Sequence, residues 1–249
     1  MADNRPIGVM DSGMGGLSVV RSLRSHMPDE KLIFWGDNKH APYGVHTRQE
    51  ILQMTWDIVE RILERDVKAL VIACNTATSA AAADLREKLD IPVLGLEPAL
   101  KPAVEFAGDG RVAVLATEAT LRLEKYQRLL MRFGRNTVSI PCPKLVEFVE
   151  AGDRSSDAVV SYIEEKLAPH KDGLKAVVLG CTHFVWLRGA VEKVVPGVEI
   201  FDGNEGLVRY LHQVLEKRGQ LSCGPGGCEL HSTAEAPAVI ERMESFLRI

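Results

Sequence analysis

Short apolar runs alternate with longer amphipathic stretches along almost the whole chain. Runs at 7–10, 32–36, 69–73, 93–95, 112–116, 137–140, 176–180 and 199–201 are strand-sized and mostly apolar. That is the pattern of parallel strands buried on both faces. Between them, 47–64, 79–89, 121–133, 157–167 and 187–194 have helix length, and Thr47 with Glu50 opens the first as a capping box. Regular β-α alternation predicts a doubly wound α/β fold with parallel sheets. In such sheets ligands bind at the carboxyl ends of the strands. Asp11, Cys74, Thr117 and Cys181 fall at those ends.

Two of the runs look alike beyond their hydrophobicity. Residues 69–78 read Ala-Leu-Val-Ile-Ala-Cys-Asn-Thr-Ala-Thr, and residues 176–185 read Ala-Val-Val-Leu-Gly-Cys-Thr-His-Phe-Val. Cys74 and Cys181 lie 107 positions apart, and Asp11 and Thr117, ending another matched pair of runs, lie 106 apart. Two landmarks at nearly one offset argue for a duplication of domain size. The expected architecture is two pseudo-symmetric parallel-sheet lobes with the active site in the cleft between them. The boundary is expected near Glu97-Pro98, giving a second lobe of 98–205. The tail carries a helical stretch to Lys217, a Gly/Pro-rich turn at 223–228, a short strand and a last helix. It is expected to rejoin the first lobe, which then comprises 1–97 and 206–249.

Composition narrows the class. A chain of 249 residues, 46% hydrophobic and 26% charged, describes an ordinary globular protein with a sizeable core. A net charge of −4 offers no electrostatic footprint for nucleic acid. No apolar run is long enough to span a membrane. The opening Met-Ala-Asp-Asn-Arg-Pro lacks a signal peptide's apolar stretch, and with six residues before the first strand no N-terminal regulatory site is expected. Five cysteines, an odd number, suit a reducing cytosol better than a disulfide framework.

The candidate chemistry gathers around the two thiols. A cysteine just before a helix start gains from the local positive potential, which favours thiolate. The amides beyond it, with Asn75, Thr76, Thr182 and His183, can hold a carboxylate. The bland alternative is a pair of small buried strand-end residues; the repeat and the polar flanks argue against it. A metal reading would use Cys74, Cys181 and His183, but no close C-x-x-C or H-x-x-x-H pair supports it. Cys223 and Cys228 form only a weak C-x4-C signal. The loop Asp11-Ser12-Gly13-Met14-Gly15-Gly16 fails the dinucleotide fingerprint because position 18 is serine. Its glycines are expected to let a tight turn approach a small anion, with Asp11 and Ser12 facing the pocket or Asp11 merely capping the helix. Pro42-Tyr43-Gly44 lies after the second strand, again at the carboxyl edge. No lysine occupies these strand-end positions, which argues against pyridoxal phosphate.

On these residues the chain resembles the glutamate racemases of the cofactor-independent aspartate/glutamate racemase superfamily. The matching motifs are Asp-Ser-Gly-Met-Gly-Gly-Leu-Ser (11–18), Pro-Tyr-Gly (42–44), Ala-Cys-Asn-Thr-Ala-Thr (73–78) and Gly-Cys-Thr-His-Phe (180–184), with support at 116–120, 142–150 and 201–203. The resemblance implies a cofactor-free, two-base racemisation of glutamate in which Cys74 takes the proton from the D-enantiomer and Cys181 from the L-enantiomer. It implies that Asp11 and His183 assist the two thiols, and that Glu150 lies near the second. Substrate contacts carried over are Asp11, Ser12, Tyr43, Gly44, Asn75, Thr76, Thr182 and His183, with Thr117 and Thr120. It further implies a homodimer in the cytoplasm that supplies D-glutamate for peptidoglycan, with no metal, nucleic acid or membrane partner.

Three departures stand out. Val185-Trp186 follows the Cys-Thr-His-Phe motif where the family continues with proline, Glu147 replaces a more apolar residue, and Gly203 replaces serine. Rival readings are a relative acting on aspartate or a hydantoin, a binding protein that retains the cleft, and a metal hydrolase.

Overall fold

The computed structural model describes residues 2–234 and 236–248; Met1, Glu235 and Ile249, which the expected first lobe includes, lie outside them. The chain runs β1 (Ile7–Asp11), α1 (Leu17–His26), β2 (Lys31–Gly36), α2 (Arg48–Leu63), β3 (Ala69–Ile72), α3 (Asn75–Lys88) and β4 (Val93–Gly95). It continues as α4 (Leu100–Ala107), β5 (Arg111–Ala116), α5 (Glu118–Arg122), α6 (Glu124–Phe133), β6 (Thr137–Pro141), α7 (Lys144–Glu150) and α8 (Asp157–Leu167). β7 (Leu174–Leu179), α9 (Arg188–Val194), β8 (Glu199–Asp202), α10 (Asn204–Lys217), β9 (Gly227–Ser232) and α11 (Pro237–Leu247) complete it.

Two all-parallel sheets result, ordered β4-β3-β1-β2-β9 and β6-β5-β7-β8. Read from the opposite edge, the second order is β8-β7-β5-β6, the same path as β4-β3-β1-β2. The duplication seen in the sequence is therefore a duplication of topology, with β9 added beside β2. Inner strands β1 and β3 are buried at every position, because helices cover both faces of a parallel sheet. Edge strands β9 and β6 are only partly buried. One apolar core runs from Ile7, Val9 and Leu17 through Ala113, Val177 and Leu179, so the two sheets share buried surface. Separate cores fill the outer face of each sheet, under α2 and α3 in one and α4 and α6 in the other.

Some local expectations needed correction. The helix expected over 121–133 is two helices, because Leu123 is extended (φ −71°, ψ 138°) and ends α5 before α6 begins. The helix expected from 79 begins at Asn75, with Cys74 as its N-cap. The helix expected over 187–194 starts at Arg188, preceded by a 3-10 turn at His183–Leu187. The capping box is present: Thr47 Oγ1 accepts from Glu50 N, and Glu50 Oε2 accepts from Thr47 N at 2.7 Å.

Candidate active site

The carboxyl ends of β1, β3, β5 and β7 bring Asp11, Cys74, Thr117 and Cys181 to the seam between the sheets. The loops just beyond them are joined across it. Thr182 Oγ1 donates to Asp11 Oδ1 at 3.3 Å, Met14 N donates to Glu150 Oε1 at 2.8 Å, and Trp186 Nε1 donates to the Gly15 carbonyl at 3.2 Å. On the other flank Thr76, Thr117 and Thr120 form a triangle of hydroxyls 2.9–3.2 Å apart. A Cβ on Gly44 would meet Thr117 there at ordinary van der Waals distance. Asp11 (0% exposed), Cys74 (5%), Cys181 (8%) and His183 (3%) are closed off from solvent. A solute reaches these thiols only if the seam opens.

Cys74 caps α3, its Sγ accepting the Ala77 N–H at 3.4 Å. The helix-start argument predicted a stabilised thiolate, and the structure overturns it. Burial and the Asp11 charge push the Cys74 thiol up to about 12, against the help of the Ser12 hydroxyl and the Ala77 N–H. One capping hydrogen bond to sulfur does not replace lost hydration. Asp11 is itself raised by complete burial, although His183 and the N–H groups of Gly16 and Gly13 oppose the rise. Charge on Cys181 also acts on Cys74, so the two sulfurs share one electrostatic environment.

Cys181 is differently served. It precedes a 3-10 turn rather than a long helix, and its Sγ lies 3.7 Å from His183 Nδ1. The other ring nitrogen, Nε2, is 2.6 Å from Glu150 Oε1. Burial disfavours a charged His183, but hydrogen bonds to Cys181 and Glu150 outweigh it and hold the imidazole well above its ordinary value. Burial likewise disfavours charge on Glu150, yet hydrogen bonds from His183, Met14 N and Asn38 hold its carboxyl below the usual range. His183 thus links the Glu150 carboxyl on one side to the Cys181 sulfur on the other.

The glycines of the first loop allow a close approach to the other sheet's residues. A Cβ on Gly13 would strike Glu150, and one on Gly15 would strike His183. The loop approaches the imidazole–carboxylate pair of the other lobe, which no larger residue allows. Asn75 is buried, and its Oδ1 has no hydrogen-bond partner. Tyr43 is buried with its phenol donating to Asp37 Oδ2 at 2.7 Å. Sequence reasoning did not single out Asp37 or Asn38, whose Nδ2 reaches Glu150 Oε2 at 3.5 Å. Their only signal was their position just beyond β2. Among the described residues no group of three or more His, Cys, Asp or Glu side chains is arranged to hold a metal. Cys223 and Cys228 belong to the tail rather than to the cleft.

The comparisons agree with this geometry. The model of the family described as Asp/Glu/Hydantoin racemase matches residues 7–211, which takes in the two thiols and every polar residue of the cleft named above. The chain belongs to that racemase family. Family members include a glutamate racemase of Clostridium perfringens, 44% identical over 253 aligned positions that cover 99% of this chain and 97% of the relative. The glutamate racemase of Thermus thermophilus, solved with beta-chloro-D-alanine, superposes with a TM-score of 0.86 at 34% identity, covering 98% of this chain and 93% of that one. The enzyme of Francisella tularensis, solved with D-glutamate, gives 0.86 at 29% identity, covering 99% and 95%. Like them, the chain is an isomerase by family.

Proposed function

We propose that the chain interconverts L- and D-glutamate by two-base proton transfer between Cys74 and Cys181, without a cofactor. The observation that carries this reading is the pair of thiols at equivalent strand ends of a duplicated fold, buried in one seam and served by unlike partners. Cys181 takes the α-proton of L-glutamate while Cys74 delivers one to the opposite face, and the roles exchange for D-glutamate. His183 places a ring nitrogen 3.7 Å from the Cys181 sulfur, while burial and the Asp11 charge push the Cys74 thiol up to about 12. A protonated Cys74 is what action on L-glutamate needs on that face. For the reverse direction, a substrate ammonium near Asp11 would offset the negative charge that raises Cys74.

A closed seam suits this chemistry. A free thiol, with pKa ~8.5, is a weak base for an α-proton. Exclusion of water and preorganised donors supply the difference. Ser12, Asn75, Thr76, Thr117, Thr120 and Thr182, with the Tyr43–Gly44 backbone, are the groups we assign to the substrate. The unpartnered Asn75 oxygen and the hydroxyl triangle support that assignment. Lobes of 1–97 with 206–249 and of 98–205 would part to admit it. Supply of D-glutamate to peptidoglycan, and so to cell shape, in a bacterial cytosol is the role that the family resemblance suggests. A homodimer is the expected form, testable by light scattering on the eluted protein.

The test is incubation of metal-free protein with L-glutamate in deuterated water without pyridoxal phosphate. Loss of optical activity with deuterium at the α-carbon supports the reading. Exchange with aspartate alone moves the substrate, and no exchange with any amino acid overturns it.

A further inference from the structure

Beyond β2, Asp37 is a buried carboxylate (1% exposed) that the chemistry above does not use. Its donors come from three separate places. Tyr43 O–H donates to Oδ2 at 2.7 Å, Thr233 Oγ1 donates to Oδ1 at 2.7 Å, and His40 Nδ1 lies 2.9 Å from Oδ1. Its own N–H donates to the Asp11 carbonyl at 2.9 Å, fixing it to the strand end that carries Asp11. Thr233 also accepts the Lys39 N–H at 3.1 Å, so the tail grips the loop at two points. Burying a carboxyl group is costly unless hydrogen bonds replace its lost water. A merely structural site would be better served by apolar packing.

We infer that Asp37 is a positioning residue, holding the Tyr43–Gly44 turn against the substrate and tying its placement to the C-terminal segment through Thr233. The tyrosine it holds is buried in the same apolar cluster as Cys74. A Cβ on the glycine beside it would meet Thr117 of the other lobe. The turn thus lies where the seam must close over a ligand. The outer partners of Asp37, His40 and Thr233, line a cavity of about 250 Å³ with Lys39 and Arg61. Thr233 and Asp37 thus border a cavity, whereas Tyr43 is buried on the other side of the carboxyl group. The inference rests on the proposed reading in which Tyr43 and Gly44 contact the substrate.

The variants Asp37→Asn, Tyr43→Phe, their double and Thr233→Val test it, read by glutamate kinetics and by amide hydrogen exchange over 41–47. Asp37→Asn should raise KM about 10-fold with a smaller change in kcat, since small displacements of binding groups are costly. Tyr43→Phe should act in the same direction, and the double variant should be no worse than the worse single, because both break one link. Thr233→Val should raise KM about twofold and still reports if Asp37→Asn fails to fold. Exchange over 41–47 should rise in Asp37→Asn while β3 and β5 stay protected. Unchanged KM, multiplicative single effects or unchanged exchange over 41–47 would overturn the inference. A wild type inactive on glutamate would sink the substrate reading alone, and the exchange measurement would still decide the placement of the turn.

Discussion

Cys74 and Cys181 end the same strand of the repeat, β3 in one sheet and β7 in the other, yet their surroundings are opposites. Cys74 has a hydroxyl, one backbone N–H and a buried carboxyl for neighbours, and negative charge nearby drives its proton on. Cys181 has an imidazole that Glu150 helps to hold well above its ordinary value. Duplication supplies the symmetry that places a sulfur on each side of the seam. Divergence of the neighbours supplies the asymmetry, a buried carboxyl beside one sulfur and an imidazole beside the other. A two-base racemase requires both. Two identical half-sites would rest with both thiols protonated or both repelling each other.

The largest effects should come from removing either thiol. Cys74→Ser and Cys181→Ser should each lower racemisation by about 10³-fold, within the range a general acid or base contributes. Polarimetry checks this, and full activity in either variant would end the comparison. Next comes Glu150→Gln, which leaves the imidazole without its carboxylate. We expect about a 100-fold loss at neutral pH and an alkaline limb of the kcat/KM profile moved to lower pH, because His183 then gives up its proton more easily. An unmoved limb would separate Glu150 from the imidazole's charge.

The same pair should be visible in stability. His183 lies above its ordinary value of 6.5, so its contribution is full below that pH and is lost as pH rises through the folded value. Glu150 lies below its ordinary value of 4.5, so its contribution is present above that pH and is lost as pH falls through the folded value. Thermal unfolding should therefore show both contributions intact between pH 4.5 and 6.5, with Glu150→Gln removing the acid-side loss due to this pair.

Smaller effects belong to the links across the seam. Thr182→Val removes the hydroxyl donor to Asp11 and should lower kcat roughly fivefold, more for one enantiomer than the other, with KM falling in step so that the two kcat/KM values stay equal. Equal losses in both directions would argue that Asp11 does not belong to one half-site. Trp186→Phe keeps the ring against Phe246 but loses the indole bond to Gly15. A stability loss of about 1 kcal/mol with little change in rate is expected from chemical denaturation.

How much of this was legible in the sequence follows from what each feature depends on. The parallel sheets were legible because strands buried on both faces must be apolar throughout, and the duplication because Cys74 and Cys181 kept their apolar approach. The break at Leu123 was not, since a single extended leucine leaves no mark on a helical pattern. The direction of the Cys74 shift was not, because a sequence displays the cap but not the burial or the Asp11 charge. Asp37 was invisible for a simpler reason. Its partner Thr233 lies 196 residues away and meets it only because β9 joins the sheet beside β2.

The central claim is that two different sulfurs serve the two faces of the α-carbon. The direct measurement is early-time racemisation in deuterated water, started separately from L- and D-glutamate, with the isotope at the α-carbon read in substrate and product. Two bases predict deuterium in nearly all of the product and little in the recovered substrate, from either starting enantiomer. Protium carried from substrate into product, or equal labelling of both, would mean that one group serves both faces and would contradict the account.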